Sequence, residues 1–180
     1  MHLFTQSGGK LKFRDEDQVF IPDKYPSDQI SIGACNGDFT LNEILSTINN
    51  KLKEFLNIKE TDYKNLDVQS SFNKSKRNIW LLPSDKAIGK TKSFVDYQND
   101  ATAKDIKLAL REGFRSIEHV KRYTTTGMGT DQGKLGNMHA LGIISETSDS
   151  KMGELGTTTF RPPYTPLTFG TIVGRNVGEY

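Results

Sequence analysis

Two glycine-rich stretches hold the residue types that could do chemistry. The longer one, Thr124-Thr125-Thr126-Gly127-Met128-Gly129-Thr130-Asp131-Gln132-Gly133-Lys134-Leu135-Gly136, places four glycines within ten residues and carries a lysine near its end. Glycine lets backbone approach another group closely, and a lysine adds a cationic point contact for an anion. The spacing Gly127-x-Gly129-x-x-x-Gly133 departs from the G-x-G-x-x-G dinucleotide fingerprint, and a helical pattern rather than a strand precedes it. It is not a Walker loop either. Two readings stay open on these residues alone: contact with a flavin or nucleotide phosphate, and a purely architectural connection between helices. Thr130, Gln132 and Lys134 are the candidate contacts of the first reading, with Lys121 and Arg122 at the end of the preceding helix as auxiliaries.

The shorter stretch is Gly33-Ala34-Cys35-Asn36-Gly37. Gly33, Asn36 and Gly37 are its candidate cofactor contacts, because amides ahead of a helix can face a phosphate or a cofactor ring; a tight turn explains them equally well. Cys35 is the single cysteine, with no base or metal partner in the pattern, and is expected to be a buried structural thiol. His119 and His139 fall in helical patterns without a carboxylate or metal partner, so neither is a candidate general base. No cysteine or histidine pair has zinc-ligand spacing. No catalytic or metal-binding residue is expected.

The elements that position these stretches follow from periodicity. Lys10-Leu11-Lys12-Phe13-Arg14, an acidic turn at Asp15-Glu16-Asp17, and Val19-Phe20-Ile21 predict a hairpin. A turn from Pro22 to Pro26 follows, and then a short strand over Gln29–Ala34. Leu41, Ile44, Leu45, Ile48, Leu52, Phe55 and Leu56 lie on one helical stripe, opened by a capping box of Thr40 and Glu43. Strand, glycine turn and helix together make an α/β signature. From Lys51 to Lys92 the chain turns polar, with ten basic residues against five acidic ones. Lys74-Ser75-Lys76-Arg77 lacks the interleaved aromatics and charge density of a nucleic-acid patch, so the stretch reads as a solvated linker. Within it Ile79-Trp80-Leu81-Leu82-Pro83 is expected to dock on a neighbouring surface. Three short helices follow: one from Thr102 with Asp105 as capping partner, carrying Ile106, Ala109 and Leu110 and ending at Gly113; one capped by Ser116, with Ile117, Val120 and Tyr123 inward; and one over Asn137–Glu146, with Met138, Leu141 and Ile144 inward. The base-edge readers of a DNA-recognition helix are not evident among them.

Composition bounds the rest. In 180 residues, 24 Lys+Arg nearly balance 22 Asp+Glu, which excludes a strongly basic nucleic-acid tail or an acidic solvating one. The longest apolar runs are far below the ~20 residues of a membrane span. The start, Met1-His2-Leu3-Phe4-Thr5-Gln6, lacks the features of a signal peptide, so a cytoplasmic location is expected.

Three blocks carry a family resemblance: Phe94-Val95-Asp96-Tyr97-Gln98-Asn99-Asp100, the run from Arg111 to Thr125, and Gly129-Thr130-Asp131-Gln132-Gly133-Lys134. Together they resemble the central region of the alpha subunits of heterotetrameric sarcosine oxidases. Gly156-Thr157-Thr158-Thr159-Phe160-Arg161-Pro162-Pro163-Tyr164-Thr165-Pro166 resembles that family's connector into a folate-binding, aminomethyltransferase-like domain, and Gly33–Gly37 with its helix resembles the close of a nucleotide-binding module. The three-helix unit is also similar to bacterioferritin-associated-ferredoxin-like domains, which hold a [2Fe–2S] cluster on four cysteines. Asp96, Gln98, Asp131 and Gly136 stand at the equivalent positions here, and such a set cannot replace four thiolates, so no cluster is expected.

The resemblance implies an α+β fragment. Residues 1–56 would be the remnant of a truncated α/β nucleotide-binding module, 57–91 a polar basic linker, 92–150 a cluster-less three-helix ferredoxin-like domain, and 151–180 a proline-rich connector to an absent folate-binding domain. It implies a flavoprotein beta subunit and the other sarcosine oxidase subunits as partners, with FMN at the subunit interface and NAD in the full complex. It further implies oxidative demethylation of sarcosine to glycine, the one-carbon unit passing to tetrahydrofolate. The chain alone would hold no cofactor and be inert, as a piece of a longer chain or a split gene product. The alternative is a stand-alone binding or regulatory module derived from a ferredoxin-like domain.

Overall fold

The computed structural model describes residues 1–26, 28–58, 68, 78–163 and 165–175. The Lys74–Arg77 cluster lies outside the described residues. The chain divides into two compact units, Met1–Asn78 and Ile79–Tyr180.

In the first unit a short helix α1 (His2–Gln6) precedes strands β1 (Lys10–Arg14) and β2 (Val19–Lys24), which pair antiparallel as the alternation predicts. Phe13 and Phe20 face each other across the ribbon with ring centroids 5.0 Å apart. The strand does not stop at Pro22 as expected. It continues to Lys24 with an irregularity at Lys10/Leu11, because in a two-stranded ribbon Pro22 can turn its missing donor to the unpaired side. Gln29–Ile32 form no strand: the described part of this unit offers only the β1–β2 ribbon, and Gly33–Asn36 close into a 3-10 turn instead. The α/β signature is therefore not realised among the described residues.

The long helix α2 (Leu41–Leu56) opens with the predicted capping box, in which the Glu43 amide donates to Thr40 Oγ1 and the Thr40 amide donates to Glu43 Oε2. Its stripe stays half-exposed to exposed, and no residue of the helix is buried. Asn42 donates to and accepts from the backbone of Val68.

The second unit has a real core. Strands β3 (Phe94–Asp96) and β4 (Ala101–Thr102) form a small antiparallel hairpin that periodicity missed, being too short to show alternation. Helices α3 (Ala103–Arg111), α4 (Ile117–Thr124) and α5 (Gly136–Ser148) follow at the predicted places, with α3 packed on both of the others. Asp105 caps α3 by accepting from both the amide and the hydroxyl of Thr102. Ile106, Val120, Leu141, Ile143 and Ile144 are fully buried, and each apolar side chain so removed from water contributes about 1.5–3 kcal/mol. Tyr123 does not point inward as expected. It is 45% exposed and leans on Phe114, while Thr124 takes the inward place on α4. A one-turn helix α6 (Met152–Leu155) and a short α7 (Phe169–Val173) complete the order. Among the described residues no helix is long and apolar enough to cross a membrane.

Of the apolar run expected to dock, Trp80 does so within this unit, its indole covering Gly142 of α5 and meeting the His139 ring edge-on at 6.2 Å, whereas Ile79 and Leu82 stay exposed. A methyl at Gly142 would collide with that indole. Gly142→Ala is therefore expected to displace Trp80, red-shift the emission of the chain's single tryptophan, and cost about 1–3 kcal/mol despite the better helix propensity of alanine. Unchanged emission and stability would contradict this seat.

Candidate functional site

The candidate site is the loop between α4 and α5 with the β3–β4 turn facing it. Asp96 closes β3 and is 6% exposed. A carboxylate so buried needs donors, and it has four: the amides of Gly127 at 2.7 Å, Gln98 at 2.9 Å and Asn99 at 3.1 Å, and the Asn99 side-chain amide at 3.2 Å. Burial pushes its carboxyl up, but the donors from Gly127, Asn99 and Gln98 together outweigh burial and hold it below the usual 3.8. Two residues on, Gln98 Oε1 accepts from the amide and hydroxyl of Thr130, at 2.8 and 3.0 Å. From the far side, Asn137 at the start of α5 donates to the Gln132 carbonyl and to Thr158 Oγ1, both at 2.9 Å.

These side chains explain the glycines. A methyl at Gly127 or Gly133 would collide with the Asn137 side chain, and one at Gly129 with that of Gln98. Gly127 and Gly133 also hold φ of +72° and +69°, where a Cβ is unwelcome. A Cβ on Gly136 would stand 2.6 Å from the Val95 carbonyl. The amides of the loop also turn inward: Gly127 to Asp96, Met128 to Thr125, Thr130 to Gln98, Gln132 to Gly129, and Gly133 and Lys134 to Asp131.

The four positions that resemble cluster-ligand sites, Asp96, Gln98, Asp131 and Gly136, line one cleft of about 330 Å3. The donor set does not fit an iron–sulfur cluster. Asp96 and Gln98 hold loop amides, Asp131 Oδ1 accepts from the Gly133 amide, and Gly136 has no room for a side chain. Among the described residues no group of three or more His, Cys, Asp or Glu side chains could hold a metal ion.

The other predicted residues are placed as follows. Thr130 is bonded to Gln98, and Gln132 reaches Arg161 and Pro163 through its side-chain amide. Lys134 is exposed beside them. Lys121 is half-buried on α4, whereas Arg122 is exposed and pairs with Glu118 at 2.8 Å. In the first unit Gly37, at φ +86°, accepts from Arg14 Nη2 at 2.8 Å through its carbonyl, and a Cβ there would collide with the guanidinium. Asn36 donates to Asp38, and Gly33 sits in open space at φ +80°. Cys35 is exposed rather than buried, its thiol 3.1 Å from the Ile32 carbonyl, because the strand expected to carry it inward is a surface turn. Asn137 and Thr158 join the site without having been among the expected contacts. The signal for Asn137 was a polar residue in the first turn of a helix entered from a glycine loop.

A folded-state carboxyl below its unfolded value contributes stability that is complete above about pH 4 and lost as pH falls through the lowered value. Asp96→Asn keeps the shape but removes a charged acceptor, and is expected to cost about 2 kcal/mol at pH 7. The gap to the parent chain should narrow on acidification, as read by urea unfolding across pH. An unvarying gap would contradict the assignment.

With that geometry in place, comparison with known proteins gives the lineage. Residues 90–175 match the model of the sarcosine oxidase A3 domain. Sarcosine oxidase subunit alpha of Rhizobium meliloti (strain 1021) is 50% identical over 102 residues, covering 57% of this chain and 10% of that protein. Its counterpart from Corynebacterium sp. (strain P-1) is 36% identical over 189 residues, covering 99% of this chain and 19% of that protein. Among solved structures, L-proline dehydrogenase from P. horikoshii aligns over 96% of this chain and 36% of that one, with 21% identity and a TM-score of 0.49. The chain thus spans no more than about a fifth of the length of these curated relatives. Residues 90–175 belong to the sarcosine oxidase A3 domain family, within a chain that is similar along its length to sarcosine oxidase alpha subunits.

Proposed function

We propose that this chain is a structural component of an amine-oxidising assembly of the sarcosine oxidase kind, with the α3–α5 unit serving as a scaffold at a flavin-bearing subunit boundary. The observation that carries this reading is the inward-turned glycine loop. Its amides are bonded within the domain by Asp96, Gln98 and Asp131, so the loop is held in shape without a bound ligand. A loop so held suits a contact surface better than a phosphate cradle, whose amides must face outward.

In this reading the unit is a ferredoxin-like domain that has exchanged sulfur ligands for hydrogen bonds. Residues 1–56 close a nucleotide-binding module whose candidate contacts are Gly33, Asn36 and Gly37, 57–91 link it to the 92–150 domain, and 151–180 lead toward a folate-binding domain. Partners are a flavoprotein beta subunit and the other subunits, in the cytoplasm. Sarcosine is demethylated to glycine at the beta-subunit flavin, and the one-carbon unit is taken by tetrahydrofolate. FMN at the boundary supplies electron transfer when bound, with NAD in the full complex. Exposed Lys134 offers the cationic contact to a flavin phosphate or to the partner, and Thr130, bonded to Gln98, keeps the loop in the shape that presents it. The chain by itself is inert.

Co-expression with the flavoprotein subunit of the same assembly tests this. Capture of the tagged chain should recover flavin, and Lys134→Ala should lower the yield several-fold without changing helix content. A folded chain that captures no flavoprotein would refute the reading. Reconstitution of the chain with iron and sulfide should give no charge-transfer bands in the visible spectrum, and their appearance would show that the four positions still take a cluster.

A further inference from the structure

The side chain of Gln132 does something the loop's own shape does not require. Its Oε1 accepts from the Arg161 amide at 2.8 Å, while its Nε2 donates to the Arg161 carbonyl at 2.8 Å and to the Pro163 carbonyl at 3.0 Å. A side-chain amide that takes both the N–H and the C=O of one residue imitates one rung of a β-ladder. The bonded segment cannot enter a real ladder, because of Arg161, Pro162 and Pro163 only Arg161 has an N–H. That single donor goes to Gln132. Three residues upstream the same segment is gripped a second time: Asn137, at the start of α5, donates to Thr158 Oγ1 at 2.9 Å, and Thr158 is buried. Gln132 holds this position at a left-handed φ of +52°, a conformation uncommon for a residue with a Cβ.

We propose that the Gly127–Gly136 loop, together with Asn137 at the start of α5, is a clamp for proline-bearing main chain, and that its occupant is this chain's own Thr158–Pro163 segment. Gln132 grips main chain and Asn137 grips the Thr158 hydroxyl, so Thr158 is the one residue of the segment that these two hold by its side chain. The segment's prolines suit the clamp for a physical reason: each ring fixes its own φ, so less ordering entropy opposes the grip. The clamp fixes the direction in which the chain leaves α6, and it makes the loop the part of the domain that answers to whatever follows. This inference stands on the chain's own contacts and does not depend on the proposed assembly.

The test is amide exchange of the full chain followed by NMR, with Arg161 as reporter. In the parent chain the Arg161 amide should be protected although its residue is exposed. In Gln132→Ala it should exchange at least about tenfold faster, since three bonds are lost, while amides of α3 and α5 keep their protection. Gln132→Glu supplies the second arm: it keeps an acceptor for the Arg161 amide but sets a carboxylate against two carbonyl oxygens, so it should release the segment as fully as alanine does. Arg161 exchange that is fast in the parent chain, or unchanged in both variants while α3 and α5 stay protected, would overturn the proposal. Should Gln132→Ala unfold α3 and α5, the Gln132→Glu comparison decides alone. Should both variants unfold them, Gln132 belongs to the core and the clamp is wrong.

Discussion

A buried carboxylate is the constraint on which the second unit depends. Asp96 is largely removed from water, and a charge there without donors would cost several kcal/mol. Its four donors come from the tight turn after β3 and from Gly127 across the domain. The turn and the loop are thereby fixed to one another by one side chain. Because the Gly127 amide is among the donors, the chain leaving α4 must pass beside β3, and α5 must begin where the loop comes back.

The glycine pattern follows from that anchoring. A loop drawn tightly around Gln98 and Asn137 has no space for side chains where it passes them, and Gly127, Gly129 and Gly133 are those places. Gly136 lets α5 start against the Val95 carbonyl. Glycine-rich loops are commonly read as room made for a ligand. Here the room is filled by the protein's own amides and carboxylates. The positions that resemble cluster ligands converge on one cleft, where Asp96, Gln98 and Asp131 hold the loop by hydrogen bonds.

How much of this was legible in the sequence depended on whether a residue's role was local. The α2 stripe, the Thr40–Glu43 box and the Thr102–Asp105 pair are short-range features, and each appears as read. So does the β1–β2 hairpin, whose alternation needs no third element. The reading failed where a distant partner decides. Gln29–Ile32 has strand-like composition but no strand beside it among the described residues, and Cys35 went to the surface with it. The four positions Asp96, Gln98, Asp131 and Gly136 were legible as a set only through family resemblance, and their actual bonds were not. Those bonds span about thirty residues, from Asp96 to Gly127 and from Gln98 to Thr130, and no periodicity encodes them. Asn137 and Thr158 were missed for the same reason.

The central claim is that an ionised Asp96 holds the loop through the Gly127 amide. A joint NMR titration of the Asp96 side-chain carboxyl carbon and the Gly127 amide proton measures this most directly. The account predicts that both follow one midpoint, lying below 3.8, with the Gly127 proton strongly downfield while the carboxylate is charged. An Asp96 midpoint at or above 3.8, or a Gly127 proton that ignores the titration, would contradict it.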